Sequence, residues 1–584
     1  MRSMKPSSFR SLKCIVTAWM LGGCSLLPAK ADEPADAESA LAGIEYFETH
    51  VRPLLEKHCY ECHSESSRPV QGGLRLDDRQ LTRRGGDSGP AVVPEDLDAS
   101  LMLSALRYED YEMPPNGQLS AAEIAAIEQW IRMGAPDPRR SSADPADEAN
   151  SDQDALSRWA YVTPRRHPRP QVTRVGWPTT TIDWFVLQQM ESMELSPARE
   201  ADRRTLIRRA TYDLIGLPPN PDRVDAFVQD ESPQAYERLV DELLASPQYG
   251  ERWTRLWLDV ARYAEDQAHI VGDDRSLCYP NAYLYRDWVI GALNADVPYD
   301  EFVTQQLAAD LLPDNERNHA ALGFLGLGPK YYNRGSAEVK ADEWDDRIDT
   351  VTRGLLGLTA ACARCHDHKF DPITMRDYYA LAGVFASTRM YNCALDATRK
   401  SKDDGNTEKP EDAMHIVREG KPTDVAIAIR GDVKKRGPVV PRGFLAVLHD
   451  GHSRIFVDGS GRLELARAIT DPANPLTARV LVNRAWAAHF GRGIVATPSN
   501  FGQMGQTPTH PELLDDLATR FVEQGWSLKW LHREIVLSST YRQSSTASAE
   551  QQAKDPNNVW LSRMHRRRLD IEQWRDAMLA VTNR

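Results

Sequence analysis

Apolar residues recur along most of the chain at the spacing of amphipathic helices. Phe47, Val51 and Leu55 follow one another at intervals of four residues, which predicts a helix with one buried face. Similar helical patterns cover the segments 182–193, 203–214, 235–244, 251–264, 463–469, 477–490, 509–525 and 528–536. Only the segments 424–429 and 444–448 resemble short strands, and no sustained alternation of strands and helices is present. We therefore predict a mainly α fold with minor β structure.

Three polar residues mark where helices are expected to begin. Ser120–Glu123 and Thr509–Glu512 both place a Glu three residues after a Ser or Thr, which is the capping-box pattern. Ser527 precedes a further apolar stripe and is a suitable N-cap residue. These signals predict that a helix begins directly after each of them.

Composition divides the chain into segments. Residues 139–158 are polar and almost without large apolar side chains, which predicts a flexible linker. Residues 397–423 are rich in charged residues, Gly and Pro and predict an exposed loop. The predicted segments are a signal peptide at 1–31, a small helical domain at 40–138, the linker at 139–158, a larger helical domain at 159–395, a connector of loop and short strands at 396–460 and a helical domain at 461–584. The last amphipathic pattern, 571–581, has no partner element, so we expect the last domain to be incomplete.

The first 31 residues have the pattern of a secretory signal. Four basic residues lie among the first 13, an apolar stretch covers 14–27, and Ala29 and Ala31 suit cleavage before Asp32. The chain is therefore expected to be exported to the periplasm or cell envelope. The sequence around Cys24 also resembles a lipobox, in which case Cys24 would carry a lipid anchor.

Charge and hydropathy exclude two classes of protein. The chain has 71 Lys and Arg against 84 Asp and Glu, a formal net charge of −13, which argues against binding to nucleic acid through neutralised phosphates. No internal run of 18 apolar residues is present, so the body of the chain is not predicted to span a membrane.

Four of the six cysteines that follow the signal lie in two copies of the motif C-x-x-C-H, at Cys59–His63 and Cys362–His366. Two thiols at this spacing can each bond a haem vinyl group, and the imidazole of the next residue then lies under the iron. Covalent haem attachment also takes place outside the bacterial inner membrane, in agreement with the predicted signal peptide. A structural disulfide and half of a zinc site are the alternatives.

The first motif is followed by a candidate for the second iron ligand. Met113 precedes Pro114 and Pro115, and two prolines stiffen the loop that would hold its thioether against the iron. A His63/Met113 pair would raise the reduction potential and favour electron transfer. Met113 could instead fill the core, with Met102 or Met133 as the ligand, or the position could be open.

The second motif leaves three interpretations open. Cys362, Cys365 and His366 could bind a second haem; His366, His368 and Asp371 could form a metal site; or the two cysteines could form a reducible disulfide. No Met-Pro sequence follows at a similar distance, so a distal ligand is not assigned, and His368 is too near His366 in sequence to reach the opposite face. Cys278 and Cys393 could pair in an oxidising compartment.

Charged and aromatic residues are dense in the helical segment 251–264. They are Arg252, Trp253, Trp257, Asp259, Arg262 and Tyr263. Such a stripe is predicted to be core packing with ion pairs rather than a binding site. Asn483, Arg484, Trp486 and His489 share or border one helical face, but no nucleophile, base or carboxylate pattern accompanies them.

These motifs resemble the large exported cytochrome-like proteins of planctomycete bacteria. The first segment resembles their cytochrome c domain through Cys59–His63, Gly72–Leu76 and Met113–Pro115. The remainder is similar to two companion domains of unknown function through Glu251–Trp253, Trp257–Ala264, Leu356–Thr359, Cys362–Pro372, Asn474–Val480, Val482–Arg484, His489–Gly493 and Pro508–Leu514. The resemblance implies a small cytochrome c-like helical domain with haem c, and it carries no established chemistry for the other two domains. Relatives of this kind continue past Arg566–Arg568.

The sequence therefore favours an exported c-type cytochrome that transfers electrons through haem at 59–63, with a possible second haem at 362–366. Its expected partner is a redox protein that the sequence does not identify, and no enzyme activity is assigned. One alternative is an envelope hydrolase or oxidoreductase that acts on a polymer through a metal site at the second motif. The other is a surface binding or scaffold protein whose second motif is a disulfide.

Overall fold

The computed structural model describes residues 42–65, 67, 70–86, 88–109, 111–139, 158–264, 281–328, 335–395, 412–449 and 451–582. Within these ranges the chain is mainly helical, as predicted, and it forms two compact units, residues 1–142 and 143–584. The predicted signal peptide with Cys24, residues 140–157 of the predicted linker, and Cys278 lie outside the described residues. None of the described helices is long and apolar enough to cross a membrane.

The first unit is a small helical domain built around the predicted amphipathic helix. A π-helical turn, Phe47–Val51, leads directly into this helix, and both end residues of the turn are fully buried. The described α-helices of the unit are α1 Arg52–His58, α2 Arg79–Arg84, α3 Leu101–Leu106 and α4 Ala121–Arg132. Phe47, Val51 and Leu55 pack with Trp130 and Ile131 of α4 in one core. The three- and four-residue spacing thus buries one face, as expected.

The helix start predicted at Ser120 is confirmed. Ser120 is the N-cap of α4; its side chain accepts from the backbone N–H of Glu123, and the Glu123 carboxylate accepts from the backbone N–H of Ser120 at 2.9 Å. These two bonds satisfy donors that the first turn of a helix otherwise leaves unpaired.

The second unit is a larger helical body with one continuous hydrophobic core that runs from Ala160 to Met564. Its described helices before the sheets are α5 Thr181–Ser192, α6 Arg203–Ile215, α7 Pro221–Gln229, α8 Ala235–Ala245, α9 Pro247–Val260, α10 Tyr283–Asn294, α11 Tyr299–Ala308, α12 Gly323–Gly326, α13 Ala337–Val351 and α14 Met375–Ala386. Those after the sheets are α15 Arg462–Ile469, α16 Thr477–Phe490, α17 Pro511–Glu523, α18 Leu528–Val536, α19 Ser539–Arg542, α20 Ala549–Lys554 and α21 Ile571–Val581.

In the described residues between α14 and α15 the chain forms three two-stranded antiparallel sheets. Their strands are β1 Thr388–Ala394, β2 Ala413–Glu419, β3 Val425–Ala428, β4 Arg436–Val440, β5 Gly443–Phe444 and β6 Arg454–Ile455. The strand predicted at 424–429 is confirmed as β3. The one predicted at 444–448 is only β5, because the chain then forms a 3₁₀ turn, Ala446–Leu448.

The prediction of an exposed loop across 397–423 is wrong for residues 413–419. This segment is strand β2, which pairs with β1 in the register Thr388 to Glu419. Ile416 and Val417 are fully buried, and the backbone of Ile416 lies so close to Gly326 of α12 that a Cβ there would approach its Cα to 2.8 Å. Strand β2 is therefore held by its pairing with the preceding strand β1 and by close packing on Gly326.

The C-terminal helices test two further signals. Ser527 caps α18 as predicted, since its hydroxyl accepts from the Trp530 N–H at 3.0 Å. The capping box predicted at Thr509–Glu512 is wrong: the N-cap is His510, and no side chain caps the helix. The Thr509 hydroxyl is instead 2.8 Å from His510 Nδ1. On α21 four apolar side chains are about half or more exposed: Ile571, Trp574, Met578 and Val581.

Candidate functional site

The first C-x-x-C-H motif forms a compact turn at the end of α1. Cys59 is the C-cap of the helix, and its carbonyl accepts from the backbone N–H groups of Cys62 at 3.2 Å and His63 at 2.9 Å. The motif thus directly follows the helix predicted from Phe47, Val51 and Leu55. The turn places both thiols and the imidazole within one five-residue, hydrogen-bonded segment.

The imidazole of His63 has a defined tautomer. Its Nδ1 lies 3.2 Å from the carbonyl oxygen of Leu74, and a carbonyl only accepts, so Nδ1 carries the proton. The segment that supplies this carbonyl is held next to the motif, since the N–H of Leu76 donates to the His63 carbonyl at 2.8 Å. The other nitrogen, Nε2, therefore has its lone pair available to bind a metal.

The two thiols of this motif have different surroundings. Cys59 packs against the hydrophobic core of the first unit, and burial raises the pKa of its thiol to about 11. Cys62 is partly exposed. Both cysteines are unpaired, so each sulfur is present as a thiol. The disulfide alternative does not describe this motif.

Met113 lies on a loop that two hydrogen bonds attach to the rest of the unit. Its N–H donates to the carbonyl of Ala105 at 3.2 Å, and the Tyr108 hydroxyl donates to the carbonyl of Pro114 at 2.6 Å. The Met113 side chain is 39% exposed, whereas Met102 belongs to the core. Met113 is thus no core filler and Met102 is one; the role of Met113 as distal ligand stays a prediction.

The second motif lies at the end of a 3₁₀ turn, Ala360–Arg364, in the second unit. Cys362 and Cys365 are both exposed and unpaired. The sulfur of Cys365 contacts a second segment of the chain, because a Cβ on Gly431 would lie 2.5 Å from it. The Tyr379 hydroxyl also holds the turn, because it donates to the carbonyl of Arg364 at 3.0 Å.

His366 resembles His63 in its local bonding. Its Nδ1 lies 2.7 Å from the carbonyl oxygen of Asp367 and therefore carries the proton. Nε2 is the nitrogen left for a ligand. Unlike His63, His366 is exposed, and its carbonyl partner is the next residue in the chain.

His368 and Asp371, the other members of the metal-site alternative, are parts of the fold. Thr359 Oγ1 lies 3.0 Å from His368 Nε2, and Nδ1 accepts from the N–H of Asp371 at 2.9 Å. Burial lowers the pKa of His368, which favours the neutral ring. Both ring nitrogens are thus hydrogen-bonded, and neither is free for a metal.

The two carboxylate oxygens of Asp371 differ. Its Oδ1 accepts from the Tyr161 hydroxyl at 2.9 Å and from the N–H of Gln503 at 2.6 Å. Its Oδ2 is buried without a hydrogen-bond partner and lies 3.6 Å from His368 Nδ1. In the part of the chain that the structure describes, no three or more His, Cys, Asp or Glu side chains form a group that could hold a metal ion. His366, His368 and Asp371 are therefore near one another in sequence without forming a common site.

A buried polar cluster in the second unit was not predicted. His489 Nε2 lies 2.9 Å from His532 Nδ1, and both rings are fully buried. Asp213 accepts from the Tyr541 hydroxyl at 2.7 Å and is paired with Arg567. Burial lowers the pKa of both histidines. These residues come from four distant parts of the chain, so no local spacing could have shown them together.

Three regions of the chain match protein families. Residues 59–117 match planctomycete cytochrome C, residues 181–390 match DUF1549, and residues 461–584 match DUF1553. The last two are families of unknown function. No curated protein and no solved structure matches the chain. The chain therefore belongs to the proteins in which a planctomycete cytochrome C domain precedes a DUF1549 and a DUF1553 domain, as its motifs predicted.

Proposed function

We propose that the chain is an exported c-type cytochrome that binds haem covalently through Cys59 and Cys62 and transfers electrons. One observation carries the proposal: the Nδ1–H of His63 donates to the Leu74 carbonyl, which leaves Nε2 as the proximal ligand. The match of residues 59–117 to planctomycete cytochrome C supports the same assignment.

The residues of the first motif fit haem c. Two unpaired thiols, at Cys59 and Cys62, are available for the two thioether bonds, and His63 is oriented by a carbonyl partner outside the motif. Met113 is the proposed distal ligand because its side chain is exposed on a loop that hydrogen bonds hold in place. When bound, haem would supply a one-electron redox centre, and coordination by His63 and Met113 would raise its reduction potential.

A second haem at Cys362, Cys365 and His366 is part of the proposal. Both thiols are exposed and unpaired, and the Nδ1–H of His366 donates to a carbonyl, as His63 does. Two centres would let one chain hold two electrons. The arrangement of His368 and Asp371 favours neither the metal-site alternative nor an enzyme that depends on it.

Haem stoichiometry tests both parts. The chain is expressed with export and haem-maturation machinery, and its intact mass and pyridine haemochrome spectrum are measured. We expect two covalent haems in the wild type and one in each of the double variants Cys59→Ala/Cys62→Ala and Cys362→Ala/Cys365→Ala. Cys393→Ala is the matched control, because Cys393 is an unpaired cysteine outside both motifs; it should keep the wild-type haem content.

Two outcomes would contradict the proposal. If Cys59→Ala/Cys62→Ala kept the full haem content, the cytochrome assignment of the first motif would be wrong. If the wild type carried one haem and Cys362→Ala/Cys365→Ala kept it, haem would be bound at the first motif alone.

Export is tested on the same sample by determining the N-terminal residue. Cleavage of the predicted signal gives Asp32 as the first residue. A lipid-modified Cys24 would identify the lipoprotein alternative, and an unprocessed Met1 would contradict export.

A further inference from the structure

The second unit contains a cavity of about 490 Å³ between α9, α11 and α16. Small-molecule sites are mostly clefts of roughly 300–1,000 Å³ lined by apolar and aromatic side chains with a few polar groups. The cavity lies well away in sequence from both C-x-x-C-H motifs, and neither motif contributes a residue to its lining. Its role is therefore separate from haem attachment.

Aromatic side chains form the apolar walls of the cavity. Trp257 and Phe302 line it with their ring centroids 4.9 Å apart in an edge-to-face arrangement. The Trp257 indole is fixed, because its N–H is 2.9 Å from Gln306 Oε1 and 3.1 Å from the Tyr285 hydroxyl. These rings are buried and held in place, so they form an angled aromatic wall that is already shaped for an aromatic ligand.

Trp253 forms a third wall of the cavity, and its ring packs against two histidines of the buried polar cluster. Its ring centroid lies 3.7 Å from that of His532 and 5.3 Å from that of His489. Both histidines are fully buried. The wall cannot move without disturbing the core, so the cavity keeps its shape.

Most charged groups around the cavity neutralise one another. Asp259 is paired with Arg255 at 2.6 Å, and Asp349 with Arg353 at 2.5 Å. Arg262 is paired with Asp346. Each of these lining charges thus has a partner of the opposite sign.

Arg484 is different. It projects from α16, and its Nη2 donates to the carbonyl of Arg353 at 2.9 Å, a neutral acceptor. Its Nε is buried without a hydrogen-bond partner, and no carboxylate of the described residues forms an ion pair with it. Burial lowers the pKa of this guanidinium. The cavity therefore contains one partly buried cation that no carboxylate of the described residues pairs with, and such a position favours the binding of an anion.

The backbone around the cavity is also unusual. Arg353 and Gly354 belong to a π-helical turn, Thr352–Leu356, and Arg262 has a positive φ of 53°. Both features are uncommon and cluster at binding sites, where other interactions compensate for their cost.

We propose that this cavity binds a small aromatic monoanion, a carboxylate or sulfonate, whose ring packs against Trp257 and Phe302 and whose anionic group pairs with Arg484. A planar guanidinium binds a carboxylate through two parallel hydrogen bonds. The single uncompensated charge selects a monoanion over a dianion, and the aromatic walls select a flat ring.

Calorimetric titration of the full-length purified chain with 2-naphthoate and with the uncharged 2-naphthamide tests the proposal. The wild type should bind naphthoate roughly tenfold or more tightly than naphthamide, the difference expected for a buried charged hydrogen bond. Arg484→Gln should abolish this preference and leave naphthamide binding unchanged. Arg467→Gln, which removes the same charge from an exposed position on α15, should behave as wild type.

A second variant fills the cavity without altering its charge. Ala488→Trp replaces a small lining residue and should abolish the binding of both compounds, whether or not Arg484→Gln folds; circular dichroism checks the fold of each variant. Equal affinities for naphthoate and naphthamide in the wild type would overturn the proposal. So would no binding of either compound, or unchanged binding by Ala488→Trp.

Discussion

Cys59–His63 follows a helix whose buried face packs in the core of the first unit, whereas Cys362–His366 begins within a 3₁₀ turn, Ala360–Arg364, of the second unit. In the first motif one thiol packs on that core and the imidazole is oriented by Leu74, 11 residues further along the chain. In the second both thiols are exposed and the imidazole is oriented by the adjacent Asp367. The first motif thus contacts residues distant in sequence, whereas the histidine of the second is oriented by its own neighbour in the chain.

The difference shows what such a motif specifies. The spacing supplies two thiols and an imidazole with a free Nε2 in both places. The neighbouring residues decide what else can take part. The exposed thioether of Met113 belongs to the same unit as the first motif. Close to the second motif in sequence, hydrogen bonds within the second unit already occupy both ring nitrogens of His368 and one carboxylate oxygen of Asp371.

The largest effect that separates the two regions is expected from Asp371→Ala. Asp371 is buried and accepts from the buried Tyr161 hydroxyl and from the part-buried N–H of Gln503, so alanine removes two hydrogen bonds to a charged group. The free energy of unfolding should fall by about 4 kcal/mol, since each such bond contributes roughly 1.5–3 kcal/mol. Urea unfolding followed by tryptophan fluorescence measures the loss.

Asp367→Ala is the control for this prediction. Asp367 is exposed, and its carboxylate accepts from the N–H of Met375, at 2.7 Å, in the first turn of α14. Its removal should cost about 1 kcal/mol, as for a helix-capping carboxylate. If both variants lost the same free energy of unfolding, Asp371 would not be a structural residue. The metal-site alternative at the second motif would then have to be considered again.

How far the sequence predicts this structure depends on the range of the interactions. The helices and the Ser120 capping box follow from periodicity and from side chains three or four residues apart, and both are confirmed. The pattern at Thr509 satisfies the same rule and fails, because the Thr509 hydroxyl is bonded to His510 Nδ1. A capping pattern therefore does not by itself establish a capping box.

Interactions between distant segments account for what the sequence did not predict. Strand β2 forms only because β1 and Gly326 are brought against it. The stripe at 251–264 was predicted to be core packing, which Trp253 and Trp257 confirm, yet the same two rings line the cavity. That second role depends on α11 and α16, which no spacing within 251–264 can reveal.

Acid should destabilise the second unit, and His510 provides a clear case. It is buried, and burial lowers its pKa to about 4, against about 6.5 in an unfolded chain. Between these values the unfolded state binds more protons than the folded one, so the free energy of unfolding falls as the pH decreases from about 6.5 to about 4. The contribution of His510 is about 3 kcal/mol in total, at 1.36 kcal/mol per unit of pKa difference.

Urea unfolding across this pH range measures that contribution. His510→Asn should flatten the pH dependence, whereas His449→Asn, at an exposed histidine of the same unit, should not. An unchanged slope in His510→Asn would show that His510 is already solvated in the folded state.

The smallest effect concerns the thiols of the two motifs before haem is attached. At a pKa of about 11, Cys59 has roughly 300-fold less thiolate near neutral pH than an ordinary thiol of pKa about 8.5. The higher basicity of its thiolate offsets part of this, since nucleophilicity rises with pKa with a Brønsted slope of about 0.4–0.5. Exchange with an aromatic disulfide reagent should therefore be roughly 20-fold slower at Cys59 than at the exposed Cys362. Haem-free Cys62→Ala and Cys365→Ala chains isolate one thiol of each motif, and peptide mapping assigns the modified residue. Equal rates would show that Cys59 does not pack on the core, and the contrast between the two motifs would then be confined to their histidines.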